Sequence, residues 1–581
     1  MADEPRPAPH GGAQAVAAAR AHGVQTMFTL SGFHVFPVYD GAVKADPPMP
    51  IVDVRHEQTA VFAAEATARL TRTPGFAVLT AGPGVTNGIS AITTAHFNGS
   101  SVVVLGGRAS DYRWGAGSLQ EFDHPALLGP ITKRAWTEHT SAGVGRSVSE
   151  AFALAAARHR GPVFLDVNLE ALFGSADPQA AASSGQGAGR PAAGSGAAGT
   201  SAAAGSAGAE PGAAAGQPDP GQLAQIAELL ARAARPVLML GSDVWLDGAE
   251  AAARAAAEEL ALPVVANGQG RGILPAGHEL LVTRARSVAF GEADLVIVVG
   301  TPLDFRIGYG EFGGKGGTGP AEVVHVADAV GQIAGHRTLA GSAAGDLTAF
   351  FMGLTSAAQR IGLARPWTRD WLPRLAVDSA AATAGDAALL ASDAFPIHPM
   401  RIYGELAPLL EPDAVVIGDG GDFVSYAGKY IEPRRPGGWL DPGPYGCLGT
   451  GLGYAIAARI ARPSAQVVLL LGDGAAGFSL MDVDTCVRHR LPVVMVCGNN
   501  GIWGLEKHPM QALYGYDVAA DLQPECRYDQ VVAALGGAGE LVTRPEEIGP
   551  ALRRAFASGV PYLVNIATDP HVAYPRSTIS V

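Results

Sequence analysis

Cysteine is scarce in this chain: 581 residues carry four, Cys447, Cys486, Cys497 and Cys526, at no spacing that suits a metal. Reduced thiols packed in a cytosolic interior are expected. Charged residues are also few, at 16%, and 54 Asp and Glu outweigh 41 Lys and Arg to leave a net charge of −13. No basic cluster interrupts that balance, so neither a nucleic acid nor an anionic membrane surface is an expected partner. Long apolar runs are missing too. Stretches such as "VVLLLG" and "PVVMVC" fall far short of the roughly 20 residues of a membrane-spanning helix. The opening "MADEPRPAPHGG" has no apolar core of the kind a secretory signal carries. The expected location is the cytoplasm.

What the chain does have is apolar residues, at 48%, in the proportion of a globular protein whose sheets are covered by helices. Its length calls for about three or four domains, at roughly 100–200 residues each. Residues 178–219 are nearly all Ala, Gly, Ser, Pro and Gln. Such a composition buries too little apolar area to offset its ordering entropy, and a flexible linker is expected there. Before it, β-type runs ("TMFTL", "PIVDV", "FAVLT", "SVVVLGG", "PVFLDV") alternate with helical ones. The same alternation restarts at "RPVLMLG" and again, near residue 400, at "AVVIGDG". Strands alternating with helices predict βαβ units and parallel sheets buried on both faces. The expected fold class is therefore α/β, with three consecutive doubly wound parallel-sheet domains at 10–177, 220–355 and 395–575 and a helical connector at 356–394.

In open α/β sheets ligands bind beyond the carboxyl ends of strands, where glycine-rich turns let backbone N–H groups approach anions. Four turns fit: "TAGPGVTNG" (80–88), "IGDGGDF" (417–423), "PYGCLGTGLGYA" (444–455) and "LGDGAAGFS" (471–479). Glycine is the default residue of any tight strand-to-helix turn, so none is diagnostic alone. The fourth carries more. Its Asp473 ends an apolar run, and 24 residues (475–498) separate Gly474 from the pair Asn499-Asn500. That is room for one helix and one strand, a crossover that returns Asn500 to the strand end beside Asp473. A carboxylate and an amide oxygen held there suit a hard cation such as Mg²⁺, which takes its remaining ligands from a phosphate. No G-x-G-x-x-G is followed by an acidic residue at the distance a nicotinamide-dinucleotide site needs.

The spacing of "GDG" and "NN" resembles the metal-diphosphate signature of thiamine-diphosphate (ThDP) enzymes, and "RHEQTAVFAAEATARL" with "GPGVTN" resembles their pyrimidine-binding domain. The likeness covers nearly the whole chain, with 221–350 as the central domain and 395–575 as the diphosphate-binding domain. It implies that Asp473, the Asn500 side chain and the Ile502 carbonyl hold Mg²⁺. Gly474, Ala475 and Ala476, with Gly420, Gly421 and Asp422, would line the diphosphate. Leu448 stands where many relatives place a Met beneath the cofactor, and Pro83 and Asn87 border the aminopyrimidine. Glu57, otherwise an ordinary first-turn carboxylate, gains a partner in the pyrimidine N1′ and a role in forming the thiazolium ylide. A homodimer or homotetramer is implied, because in these enzymes that Glu and the Mg²⁺ site typically meet across a subunit boundary. Glu57, Asp473 and Asn500 together speak against a non-catalytic relative.

Two branches of the superfamily are in view. "GAGSLQEFDHPALLGPITKRA" (115–135) resembles acetolactate synthases, with Gln120 and Lys133 at matching positions, and resembles 2-hydroxyacyl-CoA lyases as well. The first branch implies a 2-oxoacid substrate, decarboxylation and carboligation; the second implies an acyl-CoA substrate and C–C cleavage. "GIWGLEKHPM" after Asn500 departs from the acetolactate synthase pattern, and the central domain lacks a Gly-Met-His-Gly turn associated with FAD. Arg271, Arg284, Arg286 and Arg306 are candidates for the phosphates of FAD or ADP, with solvated surface arginines as the ordinary alternative. Trp503 and Glu506 are expected in the substrate pocket, Glu506 as an acid/base, and His34 in the same crevice as a proton carrier.

Overall fold

The computed structural model describes residues 9–175 and 216–575. The expected linker therefore lies, but for 216–219, outside the described residues. Three parallel sheets account for the alternating pattern. In the first, Met27–Thr29 (β1), Ile51–Asp53 (β2), Gly75–Leu79 (β3), Val102–Arg108 (β4), Ala135–Glu138 (β5) and Val163–Asn168 (β6) lie in the order β2-β1-β3-β4-β6-β5. The second orders Pro236–Leu240 (β7), Val264–Ala266 (β8), Leu295–Val299 (β9), Glu322–Ala327 (β10) and Gly341–Ala344 (β11) as β11-β10-β9-β7-β8. The third contains Val415–Asp419 (β12), Trp439–Leu440 (β13), Val467–Gly472 (β14), Val494–Asn499 (β15), Ala538–Val542 (β16) and Tyr562–Ala567 (β17), ordered β13-β12-β14-β15-β17-β16.

The interior strands β3, β4, β6, β7, β9, β14 and β15 are buried at every residue. Helices on both faces exclude water, which is why these strands read as unbroken apolar runs rather than alternating ones. Edge strands β2, β8 and β13 are only two or three residues long, too short to template pairing with another chain. In the third sheet the chain steps from β12 out to β13, then crosses to the other side at β14. The first sheet does the same from β1 to β2 and then β3. Each reversal opens a crevice at the carboxyl ends of two adjacent strands, and the glycine turns at 80–88, 417–423 and 471–479 leave from those ends.

The described residues form two compact units, one of residues up to 64 with 73–96 and 100–175, the other of 65–72, 97–99 and 216 onward. Helix Glu57–Thr71 is alanine-rich and rests directly on its sheet: a Cβ at Gly75 would lie 1.9 Å from the Ala64 carbonyl oxygen. Arg72, at φ 61°, ends it in the left-handed conformation. The tail of this helix packs in the second unit. There Arg69 donates to Tyr454 Oη (3.2 Å) and the Asp441 carbonyl (2.8 Å), and Tyr454 donates to Glu65 (2.8 Å). In the connector, Trp367 and Trp371 are buried in the core of the second sheet, their indoles donating to the carbonyls of Ala261 (2.8 Å) and Pro236 (3.1 Å). Cys486 and Cys497 are buried, Cys447 and Cys526 half-buried, and all four are free thiols. No helix among the described residues is long and apolar enough to cross a membrane.

Candidate active site

Asp473 opens helix Asp473–Ser479 directly after β14, and Asn500 directly follows β15. These strands are paired with Gly472 opposite Gly498, so the two side chains leave neighbouring strand ends. Asp473 Oδ2 accepts the Gly501 N–H at 2.7 Å, and Asn500 Oδ1 accepts the Ile502 N–H at 3.2 Å. From the far side of β14, Asp422 begins helix Asp422–Tyr430 after β12, and its Oδ2 accepts Asn500 Nδ2 at 3.0 Å. Three adjacent strands thus each bring an oxygen-bearing group to one place. Burial pushes the Asp473 carboxyl up to about 6, and the nearby Asp422 charge pushes the same way. Burial raises Asp422 as well. A divalent cation would relieve that shared repulsion, and the carboxylate, amide and carbonyl oxygens of Asp473, Asn500 and Ile502 are the donors Mg²⁺ takes.

The helix after the turn begins at Asp473 itself and lasts seven residues; the stretch read as one helix beyond it divides into Leu480–Asp482 and Val483–Arg488. The start of this helix leaves the Gly474 and Ala475 amides without intrahelical partners, while Ala475 and Ala476 themselves are buried. Gly474 must be glycine, because a Cβ there would lie 2.5 Å from the Trp503 ring. Gly420 faces a similar limit: at φ +60°, its Cβ would lie 2.3 Å from Leu448 Cδ2.

Asp419, which the sequence reading did not single out, holds the Leu448 turn. It is fully buried at the end of β12, and it accepts the N–H groups of Gly449 (2.8 Å), Thr450 (3.2 Å) and Gly451 (3.0 Å) and the Thr450 hydroxyl (3.3 Å). It thereby caps helix Gly451–Ala461 and fixes where Leu448 meets Gly420. Burial outweighs those four donors and pushes its carboxyl up to about 6.

In the first unit, Glu57 is buried (7% exposed) and accepts Asn87 Nδ2 at 3.0 Å. Asn87 caps the short helix Pro83–Thr86, so the turn after β3 reaches the carboxylate that follows β2. His34 is buried, with Nδ1 3.2 Å from Thr80 Oγ1 at the start of the same turn, and burial lowers its pKa. Gln120 stands next to the same turn, and its φ of 61° is left-handed. Lys133 is spent on structure: its Nζ donates to the carbonyls of Ala157 (2.7 Å) and His159 (2.8 Å).

In the second unit Trp503 is half-buried and Glu506 exposed, in the first turn of helix Gly504–Tyr514. All four central arginines are engaged: Arg271 donates to the Gly428 carbonyl (3.0 Å), Arg284 pairs with Asp386, and Arg306 forms a forked pair with Asp304 (2.7 Å). Arg286 donates to the Arg306 carbonyl (2.8 Å); burial first, then the charges of Arg271 and Arg306, lower it to about 10.

Three family models match in chain order: thiamine pyrophosphate enzyme N-terminal TPP binding domain at 9–127, central domain at 223–354 and C-terminal TPP binding domain at 419–566. The acetolactate synthase large subunit IlvG of Mycobacterium tuberculosis is 48% identical over 98% of this chain and 97% of its own length. The 2-hydroxyacyl-CoA lyase 2 of Mus musculus is 33% identical over 92% of this chain and 85% of its own.

Proposed function

This chain belongs to the thiamine pyrophosphate enzyme family, and from that premise we propose that it is an acetolactate synthase-type carboligase, joining two 2-oxoacids with loss of CO₂ from one. The observation carrying the cofactor half of this reading is the meeting of Asp473, Asn500 and Asp422 at three adjacent strand ends. The choice of branch is supported by the 48% identity to an acetolactate synthase along almost the full chain.

Bound thiamine diphosphate supplies a nucleophilic carbon and takes up the negative charge left when CO₂ departs. The chain's own residues do the rest. Asp473, Asn500 and the Ile502 carbonyl hold Mg²⁺, with Asp422 orienting the Asn500 amide. Amides of Gly420, Gly421, Gly474, Ala475 and Ala476 face the diphosphate at two helix starts. Leu448, pressed on Gly420 and set by Asp419, would supply an apolar support for the bound cofactor. Glu57, oriented by Asn87, exchanges a proton with the pyrimidine nitrogen, and Pro83 shapes the turn beside it. Glu506, Gln120 and His34 handle the substrate's oxygens and protons. Half-buried Arg286, crowded by Arg271 and Arg306, is the central-domain candidate for the diphosphate of FAD or ADP. The working form is a homodimer or homotetramer in which Glu57 serves the cofactor of a second copy.

The test is product identification with purified protein, ThDP and Mg²⁺. Acetolactate from pyruvate is expected. Cleavage of a 2-hydroxyacyl-CoA without acetolactate would move the chain to the second branch, which its 33% identity to such a lyase makes the one alternative worth assaying.

A further inference from the structure

A buried row of hydrogen bonds in the first unit lies outside everything assigned above. His124 and Asp166 are completely buried and Arg108 is 8% exposed. The Gly82 N–H donates to His124 Nε2 at 2.9 Å. An amide can only donate, so Nε2 carries no proton and the ring's single N–H sits on Nδ1, 3.2 Å from Asp166 Oδ1. The other Asp166 oxygen accepts Arg108 Nη1 at 3.1 Å, and the Arg108 guanidinium lies 3.5 Å from the centre of the Trp114 ring. Arg108 ends β4, and Asp166 lies in β6 opposite Gly106. The row is therefore rooted in paired interior strands and ends on one backbone amide.

That amide belongs to the turn the active site depends on. Gly82 has φ 58° and ψ −115°, and caps the helix start at Pro83. A Cβ at Gly82 would lie 2.9 Å from the Gln120 Cβ, so the turn and the left-handed Gln120 are in direct contact. Glu121 closes the loop around Gln120 by accepting the N–H groups of Gly115 (2.8 Å) and Ser118 (3.2 Å). At the other end the turn presents Asn87 to Glu57. A buried ionic row is weak evidence for stability, since apolar residues of similar volume often do as well. What an apolar side chain cannot supply is an acceptor aimed at one amide. His124 is sealed from solvent, so it acts through the turn and not on a substrate.

We propose that His124, oriented by Asp166 and Arg108, is a positioning residue that fixes the Gly82–Pro83 turn, and with it Gln120 and the Asn87–Glu57 pair. Its effect on turnover rests on the function proposed above; its effect on the turn does not.

The experiment compares His124→Met, of similar bulk without an acceptor, with His124→Gln, which keeps an acceptor near Nε2. Full-length protein with ThDP and Mg²⁺ is followed by hydrogen–deuterium exchange mass spectrometry, thermal melting, ThDP titration and pyruvate kinetics. For His124→Met, faster exchange confined to 80–88 and 115–121 is expected, with ThDP affinity and melting little changed. Its kcat/KM should fall on the order of tenfold to a hundredfold, the scale of a small misplacement of reacting groups. His124→Gln should restore most of both. Unchanged exchange in those two segments, or an equal rise across the whole first unit in both variants, overturns the proposal. If His124→Met does not fold, Asp166→Asn gives the same comparison and must loosen the same two segments. Should wild type make no acetolactate, the function is wrong, while the exchange pattern still decides the role of His124.

Discussion

Glu57, 7% exposed, meets the exposed Asn87 at 3.0 Å, and a change of one atom in its carboxylate alters proton transfer without altering shape. Glu57→Gln should lower kcat by about 10²–10⁴, the range for loss of a general acid–base, while ThDP still binds in a calorimetric titration; a wild-type rate refutes the role. Gly474→Ala puts a methyl 2.5 Å from the Trp503 ring. Trp503 must move, and tryptophan fluorescence should change along with a loss of cofactor affinity. Asp419 offers a pH test. Its folded carboxyl titrates near 6 against about 3.9 unfolded. Between those values the folded state holds a proton the unfolded chain has lost, so this group's contribution to stability declines as pH rises through the window and is flat above it. Asp419→Asn does not titrate. Its stability relative to wild type should improve by up to about 3 kcal/mol between pH 4 and 7, as read by urea unfolding of the cofactor-free protein; a pH-independent gap contradicts the assignment. Asp473, Asn500 and Glu57 were legible in the sequence because a motif spacing or a polar interruption marked them. Asp419 and His124 were not. Asp419 looks like part of a glycine turn, and its partner amides lie 30 to 32 residues away; the partners of His124, an amide and a carboxylate, lie 42 away on either side.

Helix Glu57–Thr71 is where element and site are coupled. Its first residue carries the candidate carboxylate, while Arg69 and Glu65 near its end are buried with Tyr454. Removing one member of a buried charged set leaves the other uncompensated, which typically destabilises by about 3–5 kcal/mol. Arg69→Met should therefore lower the urea midpoint sharply, and Glu65→Gln combined with Arg69→Met should recover part of the loss. Equal midpoints for wild type and Arg69→Met would remove this helix anchor from the account. The helix itself was readable from its alanines. The burial of its charged tail was not, because an alternating Glu and Arg four residues apart normally marks a solvated face. Helix Asp473–Ser479 taught the reverse: its start was legible from the glycines, its brevity was not, since apolar residues continue through the break at Leu480.

At the scale of the molecule, three buried parallel sheets follow from apolar strand runs spaced by helices, and the family models match in the same order. Composition was enough for this because a parallel strand covered on both faces has one signature. The connector was harder: Trp367 and Trp371 join the core of the second sheet, which no periodicity signalled. A working homo-oligomer should appear by mass photometry as a multiple of the 59.3 kDa chain, and a lone chain under active conditions would contradict it. The central claim is that adjacent ends of one sheet hold thiamine diphosphate through a divalent cation. Isothermal titration of metal-stripped protein with ThDP, with and without Mg²⁺, tests it most directly, in wild type and in Asp473→Ala. One ThDP per chain, bound only when Mg²⁺ is present and lost in Asp473→Ala, is the predicted result; binding of equal strength without metal or without Asp473 would contradict it.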